Sequence, residues 1–205
     1  MKSVFLNRGK FLAGLFAMLF CANLPAQQIE PTWVKEGVDW SQYDKFLVKP
    51  LNISDVRIIR PPWAVDDPRP WTMDLEGLEA IQAIFRDSMK DVLGGNDGYP
   101  LVYAAGKDVL EVEVELLSIM PWLRPGGDED LDGYEVKTLG SGEITARVEL
   151  RDSQTRELLL MIEGDKAVGE KYKEFTVQNN VSNVNRMFRS FAQRLRNSMD
   201  QIHGK

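Results

Sequence analysis

The amino-acid sequence predicts an α+β fold, with an antiparallel-rich sheet of about five strands and two amphipathic helices packed on one face. Three patterns carry that expectation. Leu110, Val112, Val114 and Leu116 alternate with Glu111, Glu113 and Glu115, the period of a strand with one wet face. Ile144, Ala146, Val148 and Leu150 alternate with polar neighbours and lead through Asp152-Ser153-Gln154-Thr155 to Leu158, Leu160 and Ile162, a hairpin. Two other stretches repeat apolar residues at helical spacing instead: Leu78, Ile81, Phe85 and Val92, then Val184, Phe188, Phe191, Leu195 and Ile202.

The chain opens with Lys2, Arg8 and Lys10, followed by an apolar run from Phe11 to Leu24 and a small residue, Ala26, before Gln27. Charge, short apolar core and small cleavage residue are the order of a secretory signal, predicted to span residues 1–26. The rival reading is a retained anchor, but a spanning helix needs about 20 apolar residues and this run is shorter. Cys21 follows Leu19-Phe20, too bulky for the small-residue site of a lipoprotein signal, so a lipid anchor there is disfavoured and Cys21 reads as part of the apolar core.

Residues 27–42 read as a polar leader, and 43–205 as a single α+β domain. A short strand at 45–49 ends at Pro50, which cannot donate to a ladder. A second covers 56–59, and the prolines of 61–70 make an irregular segment. Asp74 caps the first helix, with Glu76 in its first turn, and Gly94-Gly95 stops it. A long loop is expected between Pro121 and Gly140, a loose polar stretch at 169–178, and a final helix capped by Ser182. The arginines of that helix, among them Arg186, Arg189, Arg194 and Arg196, read as its solvated face.

Composition excludes several chemistries. The formal net charge of −6 on 205 residues argues against nucleic acid, which needs clustered Lys and Arg, and removal of the signal would take three cations with it. Cys21 is the single cysteine, so no disulfide can form within the chain, and no membrane span is expected after the signal. His203 is the single histidine and is expected in a frayed tail, so no Ser-His-Asp, Cys-His or histidine-rich zinc arrangement can be assembled. No glycine-rich phosphate loop follows a strand. Glu111, Glu113 and Glu115 are read as a solvated face rather than as a desolvated catalytic pair.

Two features remain as candidate sites. Asp128, Asp130 and Asp132, followed by Gly133, match the first half of a calcium loop, and Glu135 stands close by; the twelfth position is Leu139 instead of a closing Glu. The alternatives are a weak calcium site and a plain acidic loop. Trp63, Trp71 and Trp122 each follow a proline, and they either cover an open end of the sheet or present rigid aromatics to a glycan or partner protein.

The opening Tyr43…Val48-x-Pro50, the amphipathic helix, the acidic alternating strand and the run Val148-Glu149-Leu150-Arg151-Asp152-Ser153-Gln154-Thr155 resemble a family of Gram-negative envelope proteins, many of them lipoproteins, catalogued as domain of unknown function 3313. The likeness covers roughly residues 38–202. Arg156 stands where the family usually has Gly after the turn. The resemblance implies a periplasmic or outer-membrane-associated place and no known catalysis, and it carries over no functional residues. The expected function is a non-enzymatic periplasmic interaction or structural module, its partner an envelope protein or glycan that the residues do not identify. The alternative is a glycan-binding or carboxylate-dependent glycan-processing protein using Trp63, Trp71 and Trp122. Convergence of those three on a cleft beside two close carboxylates would favour the alternative.

Overall fold

The computed structural model describes residues 31–125 and 136–205. It is mixed α+β, with two long helices, a mostly antiparallel six-stranded sheet and a small second sheet. In chain order the strands are β1 (Trp33–Val34), β2 (Lys45–Val48) and β3 (Arg57–Ile58). Helix α1 (Leu75–Leu93) comes next, then β4 (Val109–Pro121), β5 (Lys137–Leu139), β6 (Gly142–Asp152), β7 (Leu158–Val168), β8 (Tyr172–Glu174) and helix α2 (Val177–His203).

The alternating segments form the centre, β4 between β6 on one side and a parallel edge on the other. That edge is one interrupted run. Lys45 to Val48 pair in parallel with Val109 to Val112, Asn52 bridges Glu115, and Arg57 and Ile58 pair with Ser118 and Ile119. Pro50 interrupts the run because it has no N–H to donate. β1 closes the far edge against β7, with Trp33 opposite Met161. The segment read as a leader therefore supplies a strand, and its Trp40, 1% exposed, lies in the core.

The even-numbered face of β4 (Leu110, Val112, Val114, Leu116) is buried with Leu150, Leu160 and Ile162. A register shift between Leu116 and Ser118 keeps Ile119 in the same core. Phe85 of α1 meets Phe188 of α2 with centroids 5.3 Å apart at 75°, and both rings are buried. Asp74 caps α1 by accepting from Gly77 N–H.

The last helix differs from expectation at both ends. Its cap lies six residues before Ser182, at Thr176, which accepts from the N–H of Asn179. It also runs to His203, whose ring packs 5.8 Å from Tyr99 and whose Nε2 lies 2.9 Å from the carbonyl of Tyr43. Burial against aromatic rings holds an end that sequence position alone marks as frayed. β5 and β8 likewise pair within segments expected to be irregular.

Candidate functional site: an aromatic patch at the end of the sheet

Trp63 and Trp122 meet because the edge is parallel. Ile58 lies opposite Ile119, so the residues leaving β3 and those leaving β4 emerge side by side. Trp63 rides on a short 3-10 turn (Pro62–Ala64) and Trp122 directly follows Pro121; their centroids are 5.0 Å apart, tilted at 50°. Trp63 is 64% exposed. Trp122 is anchored from behind: its N–H donates to Ser141 O at 3.1 Å and its indole Nε1 to Leu139 O at 2.8 Å.

The anchoring carries the patch onto the second sheet. Leu139 pairs with Tyr172 across β5 and β8, and both side chains are exposed. The frame beneath is tightly built. Ser141 Oγ donates to Asn180 Oδ1 at 2.7 Å and accepts from Asn183 Nδ2 at 2.8 Å, while Arg186 donates to Asn183 Oδ1. Asn183 is buried, and Gly169, at φ +89°, passes so close that a Cβ would meet its side chain at 2.6 Å. Only a residue without Cβ fits there. The patch is thus an exposed apolar surface on a rigid support, the arrangement that keeps the ordering cost of association low.

Trp71 does not join it through an observed ring contact. Its Nε1 donates to Asp67 Oδ2 at 3.3 Å, within a loop in which Arg69 clamps both oxygens of Asp67 and Arg60 donates to the carbonyls of Val65 and Arg69. The Arg69 guanidinium holds the Asp67 carboxyl well below the usual carboxylate range. The structure therefore brings two of the three candidate tryptophans together and uses the indole N–H of the third inside its own loop. Asp128, Asp130, Asp132, Gly133 and Glu135 lie outside the described residues, as do residues 1–26 with Cys21. Among the described residues no cluster of three or more His, Cys, Asp or Glu could hold a metal ion.

The odd-numbered face of the sheet is an ion-pair lattice. Arg147 lies 3.2 Å from Glu115 and 2.9 Å from Glu163, and Arg151 lies 2.5 Å from Glu149 and 3.3 Å from Glu113. Arg156 pairs with Glu113 at 2.8 Å and also with Glu111, which has Lys49 at 3.5 Å. Glu111 is 2% exposed, so this position is not the solvated one that the alternation implied. Sequence spacing could not reveal that the side chains of Arg156 and Lys49 fold over it.

A family model described as Protein of unknown function (DUF3313) matches residues 25–195. No match was found among the curated proteins. Similar solved structures include a protein of the DUF330 family model from Xanthomonas campestris, 12% identical, with a TM-score of 0.43 over 85% of this chain and 98% of that one. The PelC dodecamer from Paraburkholderia phytofirmans is 12% identical, with a TM-score of 0.35 over 76% of this chain and 89% of its own. A putative lipoprotein from Caulobacter crescentus CB15 is 9% identical, with a TM-score of 0.35 over 82% and 95%. The resemblance carried by Tyr43, Pro50 and the Asp152 turn is matched by a family model running through most of the chain: this protein belongs to the DUF3313 family of proteins of unknown function.

Proposed function

We propose that the chain is exported by its N-terminal segment to the cell envelope and works there as a non-catalytic interaction module, docking an envelope protein on the Trp63–Trp122 patch. The observation that carries this is Trp63, a large ring 64% exposed, in contact with Trp122, whose indole is tied to the backbone of Leu139 opposite Tyr172, both of them exposed. Exposed aromatics joined to aliphatic surface are the usual centre of a protein interface.

The glycan reading is weaker on the same geometry. A sugar face stacks on a flat aromatic with polar groups around it; here the pair is tilted, its neighbours are Pro62 and Leu139, and Trp71 is engaged with Asp67. Glycan processing would need two close carboxylates, one of them kept protonated, and the sheet's carboxylates are paired with arginines along its odd-numbered face.

The test is capture from an envelope extract with the mature domain as bait, beside Trp63→Ser and Leu139→Ser. These side chains are exposed, so melting temperatures should change little. A protein that co-purifies with the parent and is lost with both variants supports the reading, and one retained equally by all three removes the patch as its docking site.

A further inference from the structure

The inner face of the sheet contains a hollow that follows from two small residues. Ala146 of β6 lies directly opposite Gly164 of β7, between the larger pairs Val148–Ile162 and Ile144–Lys166. With almost no side chain at either position, the floor drops there. Met187, Phe188 and Phe191 of α2 form the roof, and about 100 Å³ stays empty between them, in a hollow open to solvent on one side. An enclosed apolar cavity of about 150 Å³ takes up benzene, so a hollow of this size accepts the end of a hydrocarbon chain.

The mouth is not apolar. Lys166, Ser190 and Arg194 line it, two cations and a hydroxyl in a chain of net charge −6. Arg194 has no ion-pair or hydrogen-bond partner for its guanidinium among the described residues, and Lys166 has Glu170 only at 3.9 Å. An apolar slot ringed by under-used cations is complementary to one kind of molecule: a hydrocarbon chain with an anionic head.

We propose that this hollow binds a single-chain anionic amphiphile of the fatty-acid class. The chain end fills the Ala146–Gly164 notch, the stem runs out beneath Phe191, and the carboxylate meets Arg194 and Lys166. Burial of apolar carbon supplies most of the affinity, and the two cations set the preference for a negative head. The site is separate from the Trp63–Trp122 patch and stands or falls independently of it.

Calorimetric titration with dodecanoate below its micelle concentration tests it, beside dodecyltrimethylammonium as the chain with the opposite head. The parent protein should bind dodecanoate and bind the cationic amphiphile at least about tenfold more weakly. Ala146→Leu, which fills the notch, should abolish binding while circular dichroism stays that of the parent. Arg194→Glu, on the rim, should weaken dodecanoate by about tenfold and narrow its preference over the cation. Should Ala146→Leu fail to fold, the rim variant and the two head groups decide alone. No heat with dodecanoate, equal binding of both amphiphiles, or binding indifferent to Arg194→Glu would overturn the proposal.

Discussion

The hydroxyl of Tyr43 donates to Asp152 Oδ2 at 3.0 Å, joining the start of the parallel edge to the β6–β7 turn. The other oxygen of Asp152 accepts from the N–H groups of Gln154 and Thr155 at 3.0 and 2.8 Å. Tyr43 and the Asp-Ser-Gln-Thr turn are among the residues that carry the family likeness, and here they form one hydrogen-bonded joint. Burial opposes ionisation of Asp152, but the donors from Thr155, Tyr43 and Gln154 outweigh it and hold its carboxyl below the usual range.

Two buried phenols make the fold sensitive to alkali. Burial first, then hydrogen bonds to Asp152 and Asp200, push Tyr43 and Tyr99 above their ordinary 10.0. The folded chain keeps both protons where the unfolded chain has lost them, so their stabilisation is complete below pH 10.0 and declines as pH rises beyond it. Urea unfolding across that range should show a falling midpoint in the parent and a flatter profile in the Tyr43→Phe, Tyr99→Phe double variant. Parallel profiles would show that the phenols are not the linked groups.

Arg156 sits at φ +62°, in the left-handed region that favours glycine, at the position where the family usually has Gly. Its side chain compensates by pairing with buried Glu111 and with Glu113. Arg156→Gly should relieve about 1 kcal/mol of backbone strain and lose about 1–3 kcal/mol by depriving a buried carboxylate of a partner, for a modest net loss. In a Glu111→Gln background the same change should become neutral or stabilising. Equal effects in both backgrounds would mean that the pair does not offset the strain.

Phe85→Ala and Phe188→Ala should each cost about 3–5 kcal/mol in chemical denaturation, because both rings are buried and meet edge to face. Phe191→Ala should cost less, since that ring is half-exposed and borders the hollow. A larger loss at Phe191 than at Phe188 would contradict this packing.

Part of the molecule can be read from its residues alone. Strand periodicity at 110–116 and 144–150, the Asp152 hairpin and the Asp74 cap are local, and the structure has them where spacing put them. The convergence of Trp63 and Trp122 was not legible, since it depends on the parallel register of β3 with β4, a pairing between segments that carry no mark of direction. Nor was the burial of Glu111: alternation assigns a face to a residue, not the long cationic side chains that fold over that face. Spacing does not single out Thr176 as a cap, because the apolar repeat of α2 starts at Val184, about two turns after the helix does.

Gly169→Ala should destabilise the frame under the patch, because a Cβ there would meet Asn183 at 2.6 Å and the backbone lies at φ +89°. We expect a loss of about 1–3 kcal/mol, with faster hydrogen exchange around Ser141 and the first turns of α2. An unchanged melting temperature would show that the joint between Gly169 and Asn183 is loose.

The docking surface is tested most directly by photo-crosslinking in living cells, with benzoylphenylalanine placed at position 63 or, as a control, at position 103. Tyr103 is a fully exposed aromatic that precedes β4, whereas Trp63 lies beside the residues that follow it. The account predicts a discrete crosslinked envelope protein from position 63, none from position 103, and loss of the band when Leu139→Ser is combined with the probe. The same band from both positions, or none from position 63, would contradict it.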